Sequence, residues 1–181
     1  MTSAVETSRV IAEPLARYET ALAEFLASAE ALRPDDWSHA MHAGKWSPAK
    51  IVEHVRLSFV ALRDSVQGGP EMHAVLTGWK AAIARWFVMP EILRTGRFPK
   101  GALSPREVRP KNPPASREEG IAGVRAAARD LEAALHSDPD PASHRILHPY
   151  FGSLSLTTAL HLLAQHTRHH RNQLHNYVVM P

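Results

Sequence analysis

An all-α fold, a four-helix bundle occupying one domain over residues 1–181, is what the sequence predicts. Three observations carry that expectation. Long stretches repeat their apolar residues at helical spacing; no run alternates apolar and polar residues over a convincing strand length; and the connections between the periodic stretches are too long for simple hairpins. No internal repeat or low-complexity block competes with this reading.

The first helix runs from about Glu13 to Ala31, with Leu15, Tyr18, Leu22, Phe25, Leu26 and Ala29 on one face and Pro14 in its first turn. Arg33-Pro34-Asp35-Asp36 ends it, and a connection through Trp37, Met41 and Gly44 leads to Lys45-Trp46. The second helix opens at Ser47, whose hydroxyl can cap, followed by Pro48 at the first helical position. Its inward face includes Ile51, His54 or Val55, Ser58 and Leu62, and Gly68-Gly69-Pro70 terminates it.

Residues 71 to 93 read as a less regular helix with Leu76, Trp79, Ile83, Trp86 and Phe87 on one side. Such an aromatic face packs into a core, lines a pocket or forms a dimer contact. Between Arg94 and Lys111 come six basic residues, Arg94, Arg97, Lys100, Arg106, Arg109 and Lys111, against the single acid Glu107, with three prolines interspersed. A solvated surface loop accounts for this stretch more simply than a specific anion site.

Ser116-Arg117-Glu118-Glu119 matches a capping box, and Ile121, Val124, Ala128, Leu131 and Leu135 follow at helical spacing. Asp138-Pro139-Asp140-Pro141 closes that helix. A loop holding His144 and His148 then leads through Tyr150-Phe151-Gly152 into a last helix, from about Ser155 to Val178.

Composition bounds the function. A hydrophobic content of 44% excludes a disordered chain, and the absence of cysteine excludes disulfides, thiolate ligands and a cysteine nucleophile. The N-terminal residues show no secretory signal, and the most apolar stretch, Ala81 to Leu93, is too short and too charged to span a membrane. A cytoplasmic protein is expected. The 21 basic and 18 acidic residues leave a formal charge of only +3, largely interleaved, which gives little ground for a nucleic-acid partner.

Chemistry enters on the last helix. Its stripe runs Leu156, Ala159, Leu163, His166, His170, Gln173 and Tyr177, so two imidazoles stand where aliphatic side chains belong, while Arg168, Arg171 and His175 fall on the far side. At this i, i+4 spacing the two Cβ atoms lie about 6 Å apart, close enough for both rings to reach one cation. With 12 histidines in 181 residues, roughly one such pair arises by accident, so the spacing matters less than its place in an apolar stripe. Two inward imidazoles need a partner: a metal, a carboxylate or buried water.

In a four-helix bundle, facing helices project metal ligands inward. His54 can therefore meet His166 and His170, although a lone histidine on an apolar face is more often a hydrogen-bonded core residue. Three protein ligands leave a position open for water or substrate, as catalytic sites do. Imidazoles suit zinc, nickel, iron or copper, and no count from sequence separates these; zinc or nickel is the expectation for a divalent transition metal cofactor.

Two segments resemble a known family. Lys45-Trp46-Ser47-Pro48-Ala49-Lys50-Ile51-Val52-Glu53-His54-Val55 is similar to the second-helix signature of the DinB-like superfamily, and His166-Thr167-Arg168-His169-His170-Arg171-Asn172-Gln173-Leu174 resembles its C-terminal signature. The resemblance implies an up-down-down-up bundle, often a homodimer, with a metal held by the triad His54, His166 and His170. His169, about 60° around the helix from His166, reads as a flanking residue, and Gln173 matches the family's glutamine, reading equally as a group that orients a ligand or as structural. The basic segment 94–111 has no counterpart in the pattern. Members include metal-dependent hydrolases and transferases or isomerases that use a low-molecular-weight thiol, so a small-molecule substrate, with such a thiol as a possible cosubstrate, is the expected partner. Under the transferase version, Arg97, Arg106 and Arg109 are expected to hold carboxylates. A non-catalytic, stress-related helical bundle is the alternative. Glu53, turned about 100° from His54, reads equally as an exposed acid or a base.

Overall fold

A computed structural model describes residues 2–99 and 101–179; Lys100, one of the six basic residues of the 94–111 segment, lies outside them. The chain is mostly helical, in the order α1 (Thr2–Glu30), α2 (Pro48–Val66), α3 (Gly78–Ile83), α4 (Met89–Thr95), α5 (Arg117–Ser137), β1 (Arg145–His148), β2 (Gly152–Ser155) and α6 (Leu156–Val179). The four long helices share one apolar core, with α1 against α6 and α2 against α5.

The periodic stripes account for that core. On α1, Leu15, Tyr18, Phe25 and Ala29 are buried, as are Ile121, Val124, Ala128, Leu131 and Leu135 on α5. Ile11 extends the α1 stripe one turn before Pro14, and the helix runs through the proline instead of starting beside it. Packing of Ile11 and Leu15 offsets the backbone hydrogen bond that Pro14 cannot donate.

The helix starts differ in chemistry. Ser116 accepts the Glu119 N–H at 3.1 Å, and the Glu119 carboxylate accepts the Ala115 N–H at 2.9 Å, so the capping pattern forms as expected, with its return bond one residue early. Ser47 makes no side-chain cap; Pro48 sets the turn, and the Ser47 carbonyl accepts the Ile51 N–H at 3.0 Å.

Two segments depart from expectation. Residues 71–77 are not helical, and the continuous helix expected over 71–93 is instead α3, a π-helical stretch Ala84–Val88, and α4. Its aromatic face is not core: Trp79, Trp86 and Phe87 are 70%, 73% and 75% exposed. The opposite face, through Ala84 and Ile92, packs with Phe151, Leu154 and Leu162 in a second, smaller core. The expected loop before the last helix is an antiparallel hairpin, with Arg145 opposite Ser155 and His148 opposite Gly152. Each strand has only four residues, too few for period-two alternation to stand out. Ile146 and Leu154 supply its buried face.

Candidate metal centre

His54 on α2 and His166 and His170 on α6 converge as the paired stripes require. Their Nε2 atoms face one another, at 3.0 Å between His54 and His166 and 3.0 Å between His166 and His170. One ligand atom from each lies within 4.8 Å of the other two. His54 and His170 are buried and His166 half-buried.

What holds the rings in place decides which nitrogen is free. The His54 Nδ1–H donates to the Val108 carbonyl at 2.6 Å, since a carbonyl only accepts. The His170 Nδ1–H donates to the Gln173 Oε1 at 2.8 Å, and the same amide donates from its Nε2 to the His169 Nε2 at 3.1 Å. Both Nδ1 protons are therefore engaged outward, and the Nε2 lone pairs of His54 and His170 point inward. A proton on the His166 Nε2 relieves at most one of its two close approaches; one cation relieves both. Zinc–nitrogen bonds of about 2.0–2.1 Å at tetrahedral angles place ligand nitrogens roughly 3.3 Å apart, close to the separations here. The donor set fits a divalent transition metal.

Electrostatics agree. Burial pushes His54 down to about 4, only partly offset by the Val108 carbonyl. It pushes His166 and His170 well below the ordinary imidazole range, with neighbouring imidazoles adding to the effect. All three are neutral at pH 7, the protonation state in which imidazole binds metal.

Aromatic rings wall the triad. Trp46 lies 4.9 Å from the His54 ring and is stacked against His170 at 6.5 Å between centroids. The loop carrying Trp46 is tied to the end of α6, where the Tyr177 hydroxyl donates to the Trp46 carbonyl at 2.9 Å and accepts the Met41 N–H at 3.0 Å. On the other side, Phe98 packs against His166 and His169 at 5.8 and 5.0 Å.

The basic segment 94–111 is part of this wall. Just before it, Gln165 on α6 donates to the Leu93 carbonyl at 2.8 Å; within it, Phe98 reaches the histidines and Val108 holds His54. Its arginines are largely engaged within the chain: Arg94 with Glu91, Arg106 with Glu107 and His73, and Arg109 with the Ser104 carbonyl. Neither Val108 nor Phe98 carries a periodic signal, because Val108 acts from a single 3-10 turn, Arg106–Val108, and Phe98 from irregular backbone, both brought in by tertiary packing.

Other candidates resolve plainly. Glu53 is buried rather than exposed, and both its oxygens accept from Arg56 at 2.8 Å, which leaves it no part in the triad. His144 bridges the Ser65 carbonyl and Asp138 and is structural. His148 stacks on Phe151 at 4.7 Å, and its Nδ1 accepts the Tyr150 N–H at 3.2 Å. Arg168 and Arg171, expected on the outer side of α6, are half-buried, whereas His175 is exposed.

Fold and site together define a mostly helical protein whose buried three-histidine cluster can hold a metal ion. The model of the DinB superfamily matches residues 17–174, and the chain belongs to that superfamily. No curated protein and no solved structure matches it.

Proposed function

We propose that the protein is a metal-dependent enzyme of the hydrolase or low-molecular-weight-thiol transferase type, with a small-molecule substrate. The observation that supports this most strongly is the inward Nε2 set of His54, His166 and His170, with two Nδ1 protons held outward by Val108 and Gln173. A divalent ion there, zinc or nickel, would lower the pKa of water or of an external thiol in a position that the protein leaves open. The chain has no cysteine and so no thiol of its own, and a thiol must arrive as cosubstrate. Trp46 and Phe98 limit water around the triad, and the Val108 and Gln173 bonds fix the ring tautomers before any substrate binds.

The same reading takes the four long helices as an up-down-down-up bundle. The pairing of α1 with α6 and of α2 with α5 supports it, together with the long connection 67–116, of the kind that a bundle with parallel neighbours requires. A cytoplasmic homodimer completes the proposal. No helix among the described residues is long and apolar enough to cross a membrane.

Metal analysis of protein purified without a histidine tag tests the site. The wild type should carry about one transition metal per chain, and His54→Ala and His170→Ala should each lose it while keeping their helical circular dichroism. Metal retained at wild-type level in both folded variants would reject the proposal.

A further inference from the structure

A second polar site lies away from the triad. A cleft of about 280 Å³ is lined by Arg85, Met89, Arg145, Ser153, Leu154, Ser155 and Thr158, and no carboxylate among the described residues lines it. Strand alternation builds one wall: Arg145 pairs across the ladder with Ser155, and Ser153 lies two residues before Ser155 on the same face. Ile146, outside the cleft lining, is 3% exposed, and its burial fixes the register that sends Arg145 and the two serines to this side. The π-helical stretch supplies the opposite wall. Arg85 donates to the Ser153 carbonyl at 2.8 Å, which ties the walls together and, among the described residues, is its one side-chain hydrogen bond.

Two guanidinium groups thus share a concave site without a carboxylate to neutralise them. Arg145 enters no ion pair among the described residues. The end of α6 is satisfied from within, since the Ser155 hydroxyl accepts the Thr158 N–H at 3.2 Å and bonds the Thr158 hydroxyl at 2.9 Å. The attraction for an anion therefore rests on the arginine pair rather than on the helix terminus, with the Ser153 hydroxyl, and whichever of the Ser155 and Thr158 hydroxyls does not donate to the other, as additional donors. Forked donors on two sides suit a tetrahedral, doubly charged group that accepts several charge-assisted hydrogen bonds.

We propose that this cleft binds a phosphoryl group. Thr158 and His166 are separated by about 12 Å along α6 at helical rise, so the cleft is distinct from the candidate metal centre, and its occupancy does not depend on a bound ion. The phosphoryl group belongs either to a soluble phosphate ester or to a lipid headgroup; the chemistry read by the arginines is the same.

Inorganic phosphate titrated into the untagged full chain by calorimetry, at constant ionic strength set with chloride, tests the site. Saturable binding is expected, weakened about tenfold or more by Arg145→Glu and less by Arg145→Gln, and unchanged by Arg129→Glu on a remote exposed surface. Circular dichroism checks that each variant is folded. Non-saturable heats, or equal loss in the Arg129→Glu control, would overturn the proposal. Sedimentation with phosphatidylglycerol vesicles, and with phosphatidylcholine vesicles as control, separates the sources. Anionic-vesicle binding lost in Arg145→Glu assigns a lipid headgroup, whereas phosphate binding without vesicle binding assigns a soluble ester. Vesicle binding that survives Arg145→Glu without saturable phosphate binding contradicts the site.

Discussion

His54 and His170 divide their ring nitrogens in the same way: Nδ1 donates to a fixed oxygen and Nε2 faces the centre of the cluster. Gln173 does this for His170 and also holds His169, so one amide orients two rings. Replacing it by Leu should leave the helical spectrum unchanged yet weaken metal binding about 10- to 100-fold in a chelator competition assay. Wild-type affinity in that variant would show that the ring is held by packing alone. The lowered pKa values also set a pH dependence for the metal-free protein. In the unfolded chain these histidines protonate near the ordinary imidazole value, while the folded chain keeps His54 neutral down to about 4 and holds His166 and His170 neutral well below the ordinary value. Between those limits the unfolded state binds more protons, so stability is full above the ordinary value and falls as pH drops. The slope is on the order of 1.4 kcal/mol per pH unit for each histidine kept neutral. Urea denaturation of chelator-treated protein between pH 7 and about 4.5 should show this loss, and a flat profile would contradict the buried, neutral triad.

At the scale of elements, legibility followed periodicity. The stripe Ile121, Val124, Ala128, Leu131 and Leu135 is readable because one face of α5 meets one core, and every member is buried. The His166 and His170 positions were readable for the same reason. The 71–95 region was not, because Ala84 and Ile92 pack inward while Trp79, Trp86 and Phe87 remain outside, so hydrophobicity marks both faces. Val108 acts from a single 3-10 turn and Phe98 from irregular backbone, both too short to show a period, and no local pattern announces them. A different element-level constraint sits at the start of α5. A Cβ on Gly120 would lie 2.8 Å from the Trp37 ring, which is buried and anchored by its Nε1–H to the Pro114 carbonyl at 3.0 Å. Gly120→Ala should therefore destabilise by about 1–3 kcal/mol from overpacking, reduced by up to about 1 kcal/mol of gained helix propensity. Chemical denaturation reads the net change; a more stable variant would mean that Trp37 moves freely.

Across the whole molecule, two cores meet along α6: the main one beneath α1, α2 and α5, and the smaller one beneath α4 and the hairpin. The triad lies between them, held by α2 on one side and walled by the 94–111 segment on the other. Outside the smaller core, Trp79, Ile83, Trp86 and Phe87 form an exposed apolar stripe at helical spacing. The three rings alone leave on the order of 450 Å² uncovered, a large part of the roughly 800 Å² that each partner contributes to a standard interface. The proposed homodimer is best accounted for by this face. Sedimentation equilibrium should find a dimer for the wild type and a monomer for Trp86→Lys combined with Phe87→Lys; a wild-type monomer, or an unchanged dimer in the variant, would remove this face from consideration.

The central claim is that three imidazoles gather around one ion, and X-ray absorption at the metal edge of the untagged, metal-loaded protein reads that coordination directly. Three imidazole nitrogens are predicted, at about 2.0–2.1 Å if the ion is zinc, together with a non-protein ligand such as water oxygen. A shell with fewer than three imidazoles, or one unchanged in folded His54→Ala, would contradict the account.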